Sequence, residues 1–98
     1  MRVEELMTAN VYSCHADEPL SEAARILWEH DCGCVPVVND DLTVAGIVTD
    51  RDMCMAASTQ GLALRDLAVS SAMSRNVRTC RAADSISVAE ERMRENQV

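Results

Sequence analysis

Apolar residues along this chain recur at two different spacings. Between Leu20 and His30 they fall at Leu20, Ala23, Ala24 and Leu27, the i, i+3, i+4, i+7 stripe of a helix with one buried face. Glu22, Arg25 and Glu29 lie largely off that stripe. Asp17-Glu18-Pro19 opens the helix, because acidic residues suit its positive end and proline fits its first turn. Asp31-Cys32-Gly33 closes it, with Gly33 suited to a left-handed C-terminal conformation. The pattern then changes to short β-branched runs. Val35-Pro36-Val37-Val38 reads as a strand whose proline, lacking a donor, belongs at the strand's start or at a sheet edge. Asn39-Asp40-Asp41 is a turn, and Leu42 to Val48 is the return strand. Thr49 caps a second helix that runs to about Ala57, and Ser58 to Gly61 is a loop. Val11-Tyr12-Ser13 is a short strand ahead of the first helix.

The pattern repeats. Val3-Glu4-Glu5-Leu6-Met7-Thr8-Ala9-Asn10-Val11 aligns without a gap on Val69-Ser70-Ser71-Ala72-Met73-Ser74-Arg75-Asn76-Val77, an offset of 66 residues from Val3 to Val69. The same offset pairs Cys14 with Cys80, Leu20 with Ile86, Ala23 with Ala89 and Leu27 with Met93, so the matched apolar positions share helical spacing. The first repeat, residues 1–68 with its linker, reads strand–helix–strand–strand–helix. The second, residues 69–98, has a strand at about Asn76 to Thr79 and a helix at about Ile86 to Asn96, without the hairpin and second helix. The expected fold is α+β: a βαββα unit with a small three-stranded sheet and two helices, followed by the βα half of a second unit. An exposed half-sheet is an edge-strand liability, so the chain is expected to be a fragment of a longer protein. Exchange with another chain, or a higher oligomer, are the other routes to completing it.

Composition narrows the function classes. The chain has 98 residues, room for one small domain of marginal stability, so support from a partner chain is expected. Apolar residues make up 48%, too many for a disordered chain. Phe is absent, and Trp28 and Tyr12 are the only aromatics, so Ala, Val, Leu, Ile, Met and Cys must build the core. The net charge is −7 and all nine basic residues are Arg, which argues against a basic nucleic-acid face. No apolar run approaches the roughly 20 residues that span a bilayer, and Met1-Arg2-Val3-Glu4-Glu5 lacks the apolar run of a signal peptide. A cytoplasmic location, with no membrane or nucleic-acid partner, is the expectation. The five cysteines are an odd number without a secretion signal, so they read as reduced, buried, small hydrophobes.

Candidate chemistry concentrates in Gly46-Ile47-Val48-Thr49-Asp50-Arg51-Asp52. A strand ending in a Thr that opens a helix presents unpaired N–H groups and a partial positive charge, which suits a phosphate. The Thr49 hydroxyl adds a donor, Arg51 a cation, and Asp52 an acceptor for two vicinal hydroxyls such as those of ribose. The same residues also read as an ordinary capping box, with Asp52 at the third helical position. His30-Asp31-Cys32-Gly33-Cys34 brings His30, Cys32 and Cys34 close together as possible metal ligands, but Cys-x-Cys is not the usual structural zinc spacing and no second pair matches it. A catalytic thiol would need a base, and neither His15 nor His30 sits in a nucleophile motif. No metal site, catalytic residue or enzymatic activity is therefore expected.

The ordered set resembles the cystathionine-β-synthase (CBS) domain family. Leu6-Met7-Thr8, Pro19-Leu20-Ser21-Glu22-Ala23-Ala24, Val35-Pro36-Val37-Val38 and Gly46-Ile47-Val48-Thr49-Asp50-Arg51-Asp52 carry the resemblance, the last fitting a Gly-φ-φ-Thr/Ser-x-x-Asp ligand signature in which φ is apolar. The resemblance implies a regulatory module, paired in tandem and assembled as a homodimer, that senses adenosine-containing ligands such as AMP, ADP, ATP or S-adenosylmethionine in a cleft between units. It carries the phosphate contact onto Thr49, the ribose contact onto Asp52, and the adenine wall onto Val11, Tyr12, Cys34, Val35 and Pro36, with Arg51 as a further phosphate partner. The adenine nucleotide would be a regulatory ligand and not a cofactor. The alternative is a dimerisation module that binds no ligand, using Met53-Cys54-Met55-Ala56-Ala57 as a helical face.

Overall fold

The β-branched runs form the hairpin at the centre of the sheet. In this computed structural model, which describes residues 1–97, β2 (Cys34–Val38) pairs antiparallel with β3 (Val44–Thr49), Val35 opposite Val48 and Pro36 opposite Ile47. The turn between them is held by the Asn39 N–H donating to the Thr43 carbonyl at 2.8 Å, with Leu42 at a φ of 68°. The Asp41 carboxylate accepts from the Thr43 N–H and hydroxyl, which holds its pKa below the ordinary carboxylate value. β1 (Cys14–His15) lies on the other side of β2 and runs parallel to it, Cys14 opposite Val37. The strand expected at Val11-Tyr12-Ser13 therefore forms later. Cys14, 1% exposed, is the residue that anchors it to the core, whereas Val11 and Tyr12 stand exposed.

Pro36 lies inside β2, the middle strand, and not at a strand start or sheet edge. The position needs no donor there. Ile47 gives its N–H to the Ser74 carbonyl at 2.9 Å and accepts the Ser74 N–H at 2.8 Å, so its backbone groups point away from Pro36. On the far side β1 reaches only Val37 and Val38.

Helix α1 spans Leu20–His30, as the periodicity predicts, but the buried stripe is Leu20, Ala23 and Ile26, with Ala24 and Leu27 half-buried at its margin. Asp31, not Gly33, takes the left-handed cap at a φ of 49°, a conformation that short polar side chains tolerate. Helix α2 spans Asp50–Gln60, so Ser58, Thr59 and Gln60 extend the helix instead of forming a loop. The Thr59 hydroxyl donates back to the Met55 carbonyl at 2.8 Å, and Gly61, at a φ of 66°, ends the helix. Against the sheet, Leu20, Val35, Val37, Val48 and Val69 are completely buried, joined by Met53 and Ala56 from α2.

Compactness groups the chain differently from the repeat. Tyr12–Val77 forms one unit, containing the sheet, α1 and α2; Met1–Val11 and the segment from Arg78 onward form another. In the second unit, α3 (Ile86–Asn96) follows Ser85, which bridges to Arg2. The Val3 and Glu4 N–H groups donate to the carbonyls of Asp84 and Ala82, and the Ile86 N–H to that of Met1. The strand expected at Asn76 to Thr79 is not formed. Its counterpart at the repeat offset, residues 10–13, is likewise no strand; β1, which follows that counterpart, exists because β2 lies beside it, and no such strand lies beside residues 76–81 among the described residues. The α+β architecture is otherwise the expected one. No helix is long and apolar enough to cross a membrane among the described residues.

Candidate functional site

Strand β3 ends where α2 begins, at Thr49, whose backbone is extended at φ −119° and ψ 170°. Its Oγ1 accepts the Asp52 N–H at 3.2 Å, and the Asp52 carboxylate accepts the Thr49 N–H at 2.9 Å. The capping box is therefore formed, and both side chains are half-buried. Each keeps capacity for a ligand: Thr49 retains its hydroxyl hydrogen, and Asp52 a second carboxylate oxygen. Arg51 is exposed and makes no ion pair among the described residues. Asp50, beside it, accepts the Arg51 N–H at 2.9 Å, occupying one of the helix's free donors and adding a negative charge at its positive end.

The hairpin register brings Cys34 directly across from Thr49. Strand alternation puts Cys34, Pro36, Ile47 and Thr49 on one face, and Val35 and Val48 on the other, in the core. Cys34 and Thr49 thus stand at one end of the hairpin, where α2 begins with Arg51 and Asp52, and Pro36 lies two residues further along the same face. Val35 is completely buried, so only its backbone is left for a ligand. Tyr12 lies against the last turn of α1, its ring stacked on His30 with centroids 3.5 Å apart and planes 8° apart. Val11, exposed, belongs to the other compact unit.

Three features escape the sequence reading. Gly46 is the first: a Cβ there would stand 2.7 Å from the Ser74 carbonyl oxygen and 2.9 Å from the Met73 sulfur, so the glycine admits the strand-like contact between Ser74 and Ile47. The second is a groove of about 470 Å³ between α1 and α2, lined by Leu27, Trp28, Cys32, Met53, Cys54 and Ala57 among others. Trp28 is 88% exposed; its place off the apolar stripe was the available signal. The third is the cysteines. Only Cys14 is the buried small hydrophobe expected, its thiol pushed up to about 11 by burial, with Glu18 and Glu22 adding to the shift. Cys32, Cys34, Cys54 and Cys80 are exposed, because they fall at a helix end, on the sheet's outer face, in the open α1–α2 groove and beside an uncovered helix. Among the described residues no three of His, Cys, Asp and Glu gather where they could hold a metal ion.

The CBS domain model matches residues 3–59. Hypoxic response protein 1 of Mycobacterium tuberculosis is 36% identical over 58 residues, which are 59% of this chain and 41% of that protein. Curated relatives are thus matched over less than half their length. A CBS-domain containing protein of Agrobacterium tumefaciens superposes with a TM-score of 0.82 at 32% identity, over 99% of this chain and 80% of that one. Hypoxic Response Protein I, solved with two coordinated zinc ions, gives 0.87 at 28% identity, over 100% and 79%. A CBS domain pair solved with 5′-methylthioadenosine and S-adenosyl-L-methionine gives 0.85 over 100% and 75%; at 22% identity this is a likeness of fold.

Proposed function

We propose, from the premise that this chain belongs to the CBS domain family and carries a CBS regulatory module, that it senses an adenosine-containing ligand and works by binding, not catalysis. The observation that carries this reading is the convergence of Thr49, Arg51 and Asp52 at one helix N-terminus with Cys34 and Pro36 across the hairpin. A phosphate or other anionic group would take the Thr49 hydroxyl and first-turn N–H groups, with Arg51 folding over it. The Asp52 carboxylate would accept from the ribose hydroxyls. An adenine ring would lie along the outer face of β2, on Cys34, Pro36 and the backbone at Val35, with Tyr12 as the further wall. Asp50 weighs against highly charged phosphates and favours less anionic ligands, such as AMP or the cationic S-adenosylmethionine, over ATP.

The ligand's effect would pass to a partner through the helices. The α1–α2 groove with its exposed Trp28 suits a second protomer, in a homodimer of a cytoplasmic protein with no nucleic-acid or membrane partner. The same groove favours the alternative, a dimerisation module in which Thr49 and Asp52 serve only as caps. Melting curves of the chain with AMP, ATP or S-adenosylmethionine discriminate. A sensor's melting temperature climbs with ligand concentration; a module indifferent to all three is an interaction module.

A further inference from the structure

We propose that His30 is a positioning residue for the ligand's base: stacked against one face of Tyr12, it holds that ring as a platform whose other face takes the adenine. The proposal rests on the adenosine-sensing reading above. The two rings lie with centroids 3.5 Å apart and planes 8° apart. Neither serves the core. Tyr12 is 51% exposed, His30 is exposed, and both stand outside the buried cluster. With one face of Tyr12 on His30, that exposure leaves the opposite face for a second flat partner. Nor does the repeated unit ask for the pair. At the repeat offset stand Arg78 and Asn96, which are not two aromatic rings.

The backbone holds the two residues unequally. His30 is the last residue of α1, and Asp31 behind it locks the helix end, its N–H donating to the Leu27 carbonyl. Tyr12 belongs to no strand, since β1 begins two residues later at Cys14. A tyrosine in such a segment loses rotamer freedom when a base settles on it, a cost that stacking on a fixed His30 meets in advance. The platform also stands at the level the base needs. Cys14 pairs with Val37 in parallel, and two residues upstream of each lie Tyr12 and Val35. Val35 is the residue that leaves its backbone to a ligand, flanked along β2 by Cys34 and Pro36. Tyr12, His30 and Cys34 all belong to the same compact unit.

The test titrates the full chain and its variants with AMP, with S-adenosylmethionine, and with 2-aminopurine riboside 5′-monophosphate, whose emission falls when its base stacks on an aromatic ring. Tyr12→Ala should weaken the nucleoside that binds by about tenfold, the usual loss of one base–aromatic stack. His30→Ala should weaken it by about threefold, the cost of ordering one loose side chain. His30→Phe should restore it, because a phenyl ring stacks on Tyr12 as well. Beside Tyr12→Ala, His30→Ala should cost nothing further, since its effect passes through Tyr12. At saturation the probe should be quenched in the wild-type chain and brighter in His30→Ala, a difference that lost stability alone does not produce. Saturable binding without quenching, equal affinity and quenching in His30→Ala, or a His30→Ala loss that persists beside Tyr12→Ala overturns the positioning role and leaves the sensing reading standing. No saturable binding of any of the three overturns both.

Discussion

At Thr49 and Asp52 the side chains proposed to meet a ligand already serve the fold, since each accepts the other's backbone N–H. Asp52→Ala should therefore lower stability by about 1 kcal/mol through the lost cap, and weaken an adenosine ligand by more than that loss explains. Asp52→Asn separates the two roles, because an amide oxygen still accepts the Thr49 N–H while the negative charge is gone. Its melting temperature should stay close to wild type and its ligand affinity should fall; undiminished affinity in both variants returns Asp52 to capping alone. Cys14 makes a second residue-scale expectation. With its pKa pushed up to about 11 and its side chain buried, it should resist alkylation near pH 8 while the four exposed cysteines react. Intact mass should show four adducts on the folded chain and a fifth only after unfolding.

At the scale of elements, the hairpin depends on a position without a side chain. Gly46→Ala places a methyl group 2.7 Å from the Ser74 carbonyl, and should cost about 1–3 kcal/mol in urea unfolding, the usual range for overpacking. A neutral result would mean that Met73 and Ser74 do not hold β3. Helix α1 offers the opposite case, an exposed residue that the fold does not need. Trp28→Glu should leave the monomer folded and shift sedimentation from dimer to monomer if the α1–α2 groove is the dimer face.

The elements were legible in the sequence where burial is periodic. Leu20 to His30 was read with its observed bounds because its apolar spacing and flanking signals agree. Signals failed where a contact distant in sequence decides. Pro36 is allowed mid-strand because its register with Ile47 asks for no donor and β1 reaches only Val37 and Val38, and β1 starts late because Cys14 meets Val37. Of the candidate site, local spacing alone gave the capping box of Thr49 and Asp52, and the ligand roles of Thr49, Arg51 and Asp52 rest on the family resemblance. That Cys34 stands across from Thr49, and that Val35 faces inward, follows from hairpin register, which the sequence only implies.

For the molecule as a whole, the charge of −7 makes anion recognition a local achievement. Only the helix N-terminus and Arg51 favour an anion at the site, and Asp50 and Asp52 oppose it. The central claim is thus that a nucleoside seats at this one end of the hairpin. Amide chemical-shift mapping of the full chain during titration with AMP or S-adenosylmethionine tests it most directly. Saturable shifts centred on Thr49 to Asp52 and on Cys34 are the expected result. No saturable shift with either ligand, or shifts centred on Trp28 and Met53 in the α1–α2 groove, would contradict it.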